Sequence, residues 1–138
     1  MEAKAYLDQY LGLKRDIECM EAENEQWLYI AGGLAPPSLG DKVQTSGNQQ
    51  KNEDAILRYM KKVKENEAKI ERLKEKMAEI LSTIAKVENT TLRRILLLHY
   101  TEKKKLGTIA AEICYSYQHT KELHGIALEK VQRIIGKE

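Results

Sequence analysis

The chain has 138 residues, of which 32% are charged and only 6% aromatic, and it contains no phenylalanine. This composition favours long, salt-rich helices over a thick globular core, and the length allows one domain or one small domain with an extended element. The only two prolines are adjacent, at Pro36 and Pro37, so no proline interrupts a helix in the rest of the chain.

The formal net charge of +2 is unevenly distributed along the chain. Residues 1–88 carry 14 Lys and Arg against 16 Asp and Glu, whereas residues 89–138 carry 9 against 5, together with all three histidines. A basic C-terminal part is compatible with nucleic-acid contact, although the same excess is ordinary for a segment of this length.

Cysteine and histidine spacing gives no support for a metal site or for catalysis. Cys19 and Cys114 lie far apart in the sequence. His119 and His124 are five residues apart on one predicted helix, a spacing that does not let both bind the same metal ion. No secretory signal and no run of 18 apolar residues is recognised. We therefore expect a cytoplasmic protein with reduced thiols, no membrane association, no cofactor, no metal and no enzymatic activity.

Two long segments repeat apolar residues at alternating steps of three and four. The first covers residues 2–31 and comprises Tyr6, Tyr10, Leu13, Ile17, Met20, Asn24, Trp27 and Ala31. The second covers residues 52–87 and comprises Ile56, Tyr59, Val63, Asn66, Ile70, Leu73, Met77, Ile80, Ile84 and Val87. Glycines and prolines between them predict a loop over residues 32–51. Because neither helix can bury its stripe alone, an antiparallel coiled-coil helical hairpin is predicted over residues 1–88.

One asparagine in each stripe sets the expected register. If paired positions sum to 90, Asn24 faces Asn66, and each buried amide finds a partner. A slip of seven residues would leave both amides against apolar neighbours, at a cost of roughly 1–3 kcal/mol each. A coiled coil between two chains stays open as an alternative.

The last third of the chain predicts a three-helix domain over residues 89–138. Asn89 is expected to cap a helix from Thr90 to about Lys103. A short helix ending at Ile113, a tight turn and a second helix capped by Ser116 then follow, in the order of a helix-turn-helix. Inward-facing positions are expected at Ile109, Ala110, Ile113, Leu123, Ala127, Leu128 and Val131.

The first turns of the last helix carry the side chains suited to a DNA major groove. Gln suits adenine, Glu suits the cytosine amino group, and Lys suits guanine or phosphate. The predicted base-contacting residues are Tyr117, Gln118, His119, Lys121 and Glu122. The predicted phosphate-contacting residues are Lys103, Lys104, Lys105 and Arg94.

The span from about Leu92 to Ile134 resembles region 4 of sigma-70-type factors. It is closer still to the sigma-region-4-like transcriptional regulators of phages and prophages, including the ArpU- and RinA-type late-gene activators. The matching residues are Leu92–Leu96, Tyr100, Leu106, Ile109, Ala110, Tyr115, Ser116, His119, Leu123–Gly125, Ala127 and Leu128. The segment Gly40–Gly47 also resembles a recurring piece of those phage proteins. The sequence departs from the pattern at several places. Thr120 replaces an inward apolar residue, Cys114 replaces a turn glycine, and Leu97 and Leu98 occupy positions that are usually polar. The groove-facing turn has one Lys where members of the group often carry Arg.

The resemblance implies a cytoplasmic transcription regulator in a bacterial host, which reads double-stranded DNA near RNA polymerase. A small DNA-reading domain needs two copies for useful affinity, so a homodimer is expected. Two alternatives stay open. One is a DNA-packaging oligomer like a small terminase subunit, and the other is a protein-binding module or inhibitor whose helix-turn-helix does not touch DNA.

Overall fold

The structure is a computed structural model that describes residues 1–34 and 46–137. The described residues form five helices and no strand, so the predicted all-α class is confirmed. The helices are α1 (Ala3–Leu34), α2 (Ser46–Ala85), α3 (Thr90–Tyr100), α4 (Leu106–Ile113) and α5 (Tyr117–Gly136). None of these helices combines the length and apolarity that crossing a membrane requires.

The helix ends differ from the predicted ones at three places. Gly32 and Gly33 belong to α1, and α2 begins at Ser46, so the predicted loop over residues 32–51 is too long at both ends. Adding a residue to an existing helix is far cheaper than nucleating one, which lets two glycines extend α1. Most of the Gly40–Gly47 segment lies outside the described residues.

The third difference concerns α3, which ends at Tyr100 rather than near Lys103. The backbone N–H of Thr101 donates to the Leu97 carbonyl, and Lys103 then takes a left-handed conformation with φ of 57°. A left-handed residue stops the helical hydrogen-bond ladder. The three consecutive lysines therefore lie in the connection between α3 and α4 rather than at a helix C-terminus.

The chain forms two compact units, one of Met1–Arg15 with Lys74–Glu138 and the other of Asp16–Leu73. The predicted boundary after residue 88 therefore differs from the observed division. The physical reason is a single core in the first unit, because apolar residues from α1, α2, α3 and α5 pack together there. The buried members are Ala3, Leu7, Ile80, Ile84, Val87, Leu92, Leu96, Tyr100, Ala127 and Val131.

In the second unit, α1 and α2 lie antiparallel and contain the predicted amide pair. Asn66 Nδ2 donates to Asn24 Oδ1 at 2.9 Å, and Asn24 Nδ2 donates to the Val63 carbonyl at 3.3 Å. One turn further along α1, the Trp27 ring stacks on Tyr59 with centroids 5.5 Å apart. Both asparagines are buried and have little access to water, so each amide depends on the other for a hydrogen-bond partner.

Candidate nucleic-acid interface

Three helices build the candidate interface, with α5 packed against both α3 and α4. The inward-facing positions predicted on α4 and α5 are buried or half-buried, including Ala110, whose small side chain allows the two helices to approach closely. The Asn89 Oδ1 accepts from the Leu92 N–H at 3.1 Å, which confirms the predicted cap of α3.

The turn between α4 and α5 is fixed by hydrogen bonds on both sides. Cys114 has φ of 63° and ψ of 37°, and the N–H of Tyr115 donates to the Ala110 carbonyl at 3.0 Å. Ser116 Oγ accepts from the His119 N–H at 3.1 Å, which confirms the predicted cap of α5. These contacts set the direction in which the first turn of α5 leaves α4.

Because Cys114 is an L residue in a left-handed conformation, we expect Cys114→Gly to stabilise the protein by roughly 0.5–1 kcal/mol. The left-handed region costs an L residue roughly 1–2 kcal/mol, and the greater freedom of glycine in the unfolded chain removes part of the gain. Urea unfolding followed by circular dichroism measures the difference. The control is Ala111→Gly on the exposed side of α4, which should destabilise by about 1 kcal/mol. A destabilised Cys114→Gly protein would contradict the expectation.

The first turns of α5 present their polar side chains to solvent. The exposed residues are Tyr117, Gln118, His119, Lys121 and Glu122, which are the five predicted base-contacting positions. Their contacts with one another are loose, since Gln118 Nε2 lies 3.4 Å from Glu122 Oε1. Thr120 is the inward residue of this turn. It is fully buried, and its hydroxyl donates to the Ser116 carbonyl at 2.9 Å, so the departure from an apolar residue leaves no unpaired group.

The predicted phosphate-contacting cations differ in their exposure and in their ion pairs. Arg94, Lys103 and Lys105 are exposed. Lys104 instead donates from Nζ to Glu112 at 2.7 Å and lies 3.7 Å from Glu102, and these contacts, above all the hydrogen bond to Glu112, raise the pKa of Lys104. A phosphate contact by Lys104 would have to replace these carboxylates.

A shallow depression of about 590 Å³ brings two of the predicted residues together with the start of α4. Its lining comprises His99, Lys105, Leu106, Gly107, Thr108 and Tyr117. Lys105 is the N-cap residue of α4 and makes no side-chain cap, so the first N–H groups of this helix have no side-chain partner there. A helix start carries partial positive charge and free donors, which suit an oxygen anion such as phosphate. This contribution does not follow from the sequence, because no capping residue marks the start of α4.

The helices α3 and α5 share a ring cluster of His99, Tyr100 and His124 that no local sequence pattern predicts. Tyr100 Oη and His124 Nε2 lie 2.9 Å apart, and the His99 ring meets the His124 ring edge-on with centroids 5.1 Å apart. Burial, then the nearby charges of His99 and Lys4, lower the pKa of His124 to about 4, and Asp8 opposes them. Burial, with a smaller contribution from Asp8, raises the pKa of Tyr100 to about 12. At neutral pH a protonated phenol therefore meets an uncharged imidazole.

This arrangement predicts a loss of stability as the pH falls from about 6.5 to about 4. In that window the unfolded chain binds a proton at His124 and the folded chain does not, so acid favours unfolding, while the contribution of the neutral imidazole is complete above the unfolded pKa. We expect His124→Gln to flatten the change in urea midpoint between pH 7 and pH 5. His119→Gln, an exposed histidine on the same helix, is the control and should leave the slope as in the wild type. Equal slopes for the wild type and His124→Gln would contradict the assignment.

Within residues 1–34 and 46–137, no three His, Cys, Asp or Glu side chains group in a way that could hold a metal ion. In comparisons with known proteins, no family model, no curated protein and no solved structure matches the chain.

Proposed function

We propose that α4, the following turn and α5 form a helix-turn-helix that reads double-stranded DNA. The observation that carries the proposal is the exposed polar front of α5, fixed in direction by the Ser116 cap and the left-handed Cys114. Donors and acceptors at Gln118, Lys121 and Glu122 suit base edges, and a wide major groove admits a helix presented in this way.

Phosphate contacts would come from the rim of the same surface. The start of α4 with Lys105 lines the same depression as Tyr117 and supplies N–H groups that Lys105 does not cap. Arg94 and Lys103 are further exposed cations of the domain. Such contacts set register and supply the salt-dependent part of affinity, while the α5 side chains discriminate between sequences.

The remaining parts fit a regulator of phage or prophage transcription, the group that the C-terminal helices resemble. In this proposal α1 and α2 form an antiparallel coiled-coil hairpin that supports the sigma-region-4-like domain and joins two copies in a homodimer. RNA polymerase is the expected protein partner at the promoter. Two half-sites related by the dimer axis would then double the length of sequence read.

The test is selection of bound duplexes from a random pool, followed by affinity measurements on the enriched motif. We expect enrichment of a defined motif, a steep fall in affinity with added salt, and a loss of about tenfold or more in Gln118→Ala, Lys121→Ala, because each good base contact is worth roughly 1–3 kcal/mol. The control is Gln26→Ala, Lys69→Ala, which removes the same residue types from exposed positions of α1 and α2. Failure to enrich any motif at low salt would refute the proposal. A ring-shaped oligomer that binds DNA without a motif would favour the packaging alternative.

A further inference from the structure

A second basic feature lies near the C-terminus of α5, beside the connection between α2 and α3. It is a groove of about 580 Å³ whose lining combines cations with apolar surface: Lys86, Val87, Glu88, Asn89, Lys130, Arg133, Ile134 and Lys137. Four of these residues are cationic and one is acidic.

Three of the cations form a stripe along α5. Lys130, Arg133 and the C-cap residue Lys137 follow one another at steps of three and four, so they share one face at the end of the helix, over about 10 Å. All three are exposed, and among the described residues none lies within ion-pair distance of a carboxylate. Exposed Ile126 precedes Lys130 by one turn on the same face, and half-buried Ile134 lies within the stripe. The stripe therefore offers an apolar contact as well as positive charge.

The position of the groove argues against the duplex that the first turn of α5 would read. Arg133 follows Gln118 by 15 residues, which is about 22 Å along the helix axis. The major groove is about 8.5 Å deep, so a helix that enters it steeply with its N-terminal turn carries its last turns beyond the phosphate rim. A helix that lies along the groove keeps its last turns near the backbone, and competition with duplex DNA distinguishes the two arrangements. This step rests on the proposed DNA-reading role of Gln118, whereas the charge and the apolar surface of the groove do not depend on it.

We infer that this groove is a docking site for an acidic, partly apolar segment of a protein partner. Carboxylates would pair with Lys130, Arg133 and Lys137, and an apolar side chain would cover Ile126 and Ile134. Complementary charge favours such an encounter and excludes basic partners. The partner would occupy one end of α5 while DNA occupies the other.

The test uses a fluorescein-labelled peptide of twelve residues built from Glu, Asp and Leu, with the same peptide in Gln, Asn and Leu as the uncharged probe. We expect the wild type to bind the acidic peptide in fluorescence anisotropy and Lys130→Gln, Arg133→Gln, Lys137→Gln to weaken that binding about tenfold. The matched control is Lys61→Gln, Lys64→Gln, Lys69→Gln, which removes three exposed cations of α2 and should change affinity less than about twofold. Thermal unfolding checks that each variant is folded, and the single Lys130→Gln change should already weaken binding measurably.

Competition with duplex DNA separates this inference from the proposed function. Peptide binding that survives saturating duplex supports a separate protein-docking groove, whatever the outcome of the duplex selection. The inference is overturned if the wild type does not bind the acidic peptide, if the groove and control variants lose affinity for the peptide equally, or if duplex DNA displaces the peptide. In that last case, a smaller salt slope of DNA binding in the groove variant would assign the groove to nucleic acid.

Discussion

Leu7→Ala should lower the free energy of unfolding by about 2–5 kcal/mol, although Leu7 lies more than 80 residues before the helix-turn-helix. The side chain is fully buried, and its core includes Ile84 from the end of α2, Val87 from the connection that follows, and Leu96 from α3. Alanine would leave a cavity that these rigid helices cannot close completely. Urea unfolding at neutral pH measures the loss.

The control is Leu57→Ala, which removes the same side chain from a position that is 68% exposed and should cost less than about 0.5 kcal/mol. For the same reason a fragment of residues 89–138 should lack a cooperative unfolding transition, because it lacks half of the core. A stably folded fragment, or similar losses for the two alanine variants, would contradict the shared core.

Hydrogen bonds reinforce the contribution of the N-terminus to this core. The Ala3 N–H donates to Gln132 Oε1 at 2.7 Å, and Gln132 Nε2 donates to the Met1 carbonyl at 3.2 Å. The first residues of the chain thereby bind the C-terminal half of α5. A mutation in the N-terminal residues can consequently change the stability of α5 without lying near its first turns.

Asn24→Leu alone should destabilise the protein by about 1–3 kcal/mol, and the further change Asn66→Leu should restore much of that loss. In the single variant the Asn66 amide loses its acceptor, Asn24 Oδ1, in a buried site. Two leucines leave no unpaired polar group at the pair and bury additional apolar surface, so the second substitution removes the penalty that the first one created.

The measurement is a double-mutant cycle in urea, with a coupling energy of about 0.5–3 kcal/mol expected between the two positions. The cycle should be accompanied by a sizing experiment, because an apolar pair no longer opposes other registers or partners. Additive effects of the two substitutions would show that the amides do not act on each other.

Local chemistry let the sequence alone determine several features of this protein. The stripes predicted two long helices because the helical repeat places every third or fourth residue on one face. The asparagine pair could be predicted because a buried amide requires a hydrogen-bond partner. The caps at Asn89 and Ser116 could be predicted because a short polar side chain accepts from the free N–H groups of the first helical turn. The same helical repeat predicted which residues in the first turns of α5 are exposed, since they lie opposite the predicted inward positions.

Only the tertiary structure decided which stripes share a core. An apolar stripe shows that a helix face must be covered but does not show which element covers it. The sequence therefore did not predict that Leu7 and Val87 pack in the same core as Leu96. The Tyr100–His124 contact likewise joins residues of two helices that no local pattern connects. The end of α3 at Tyr100 also escaped the local pattern, because Lys103 takes a left-handed conformation that an L side chain disfavours.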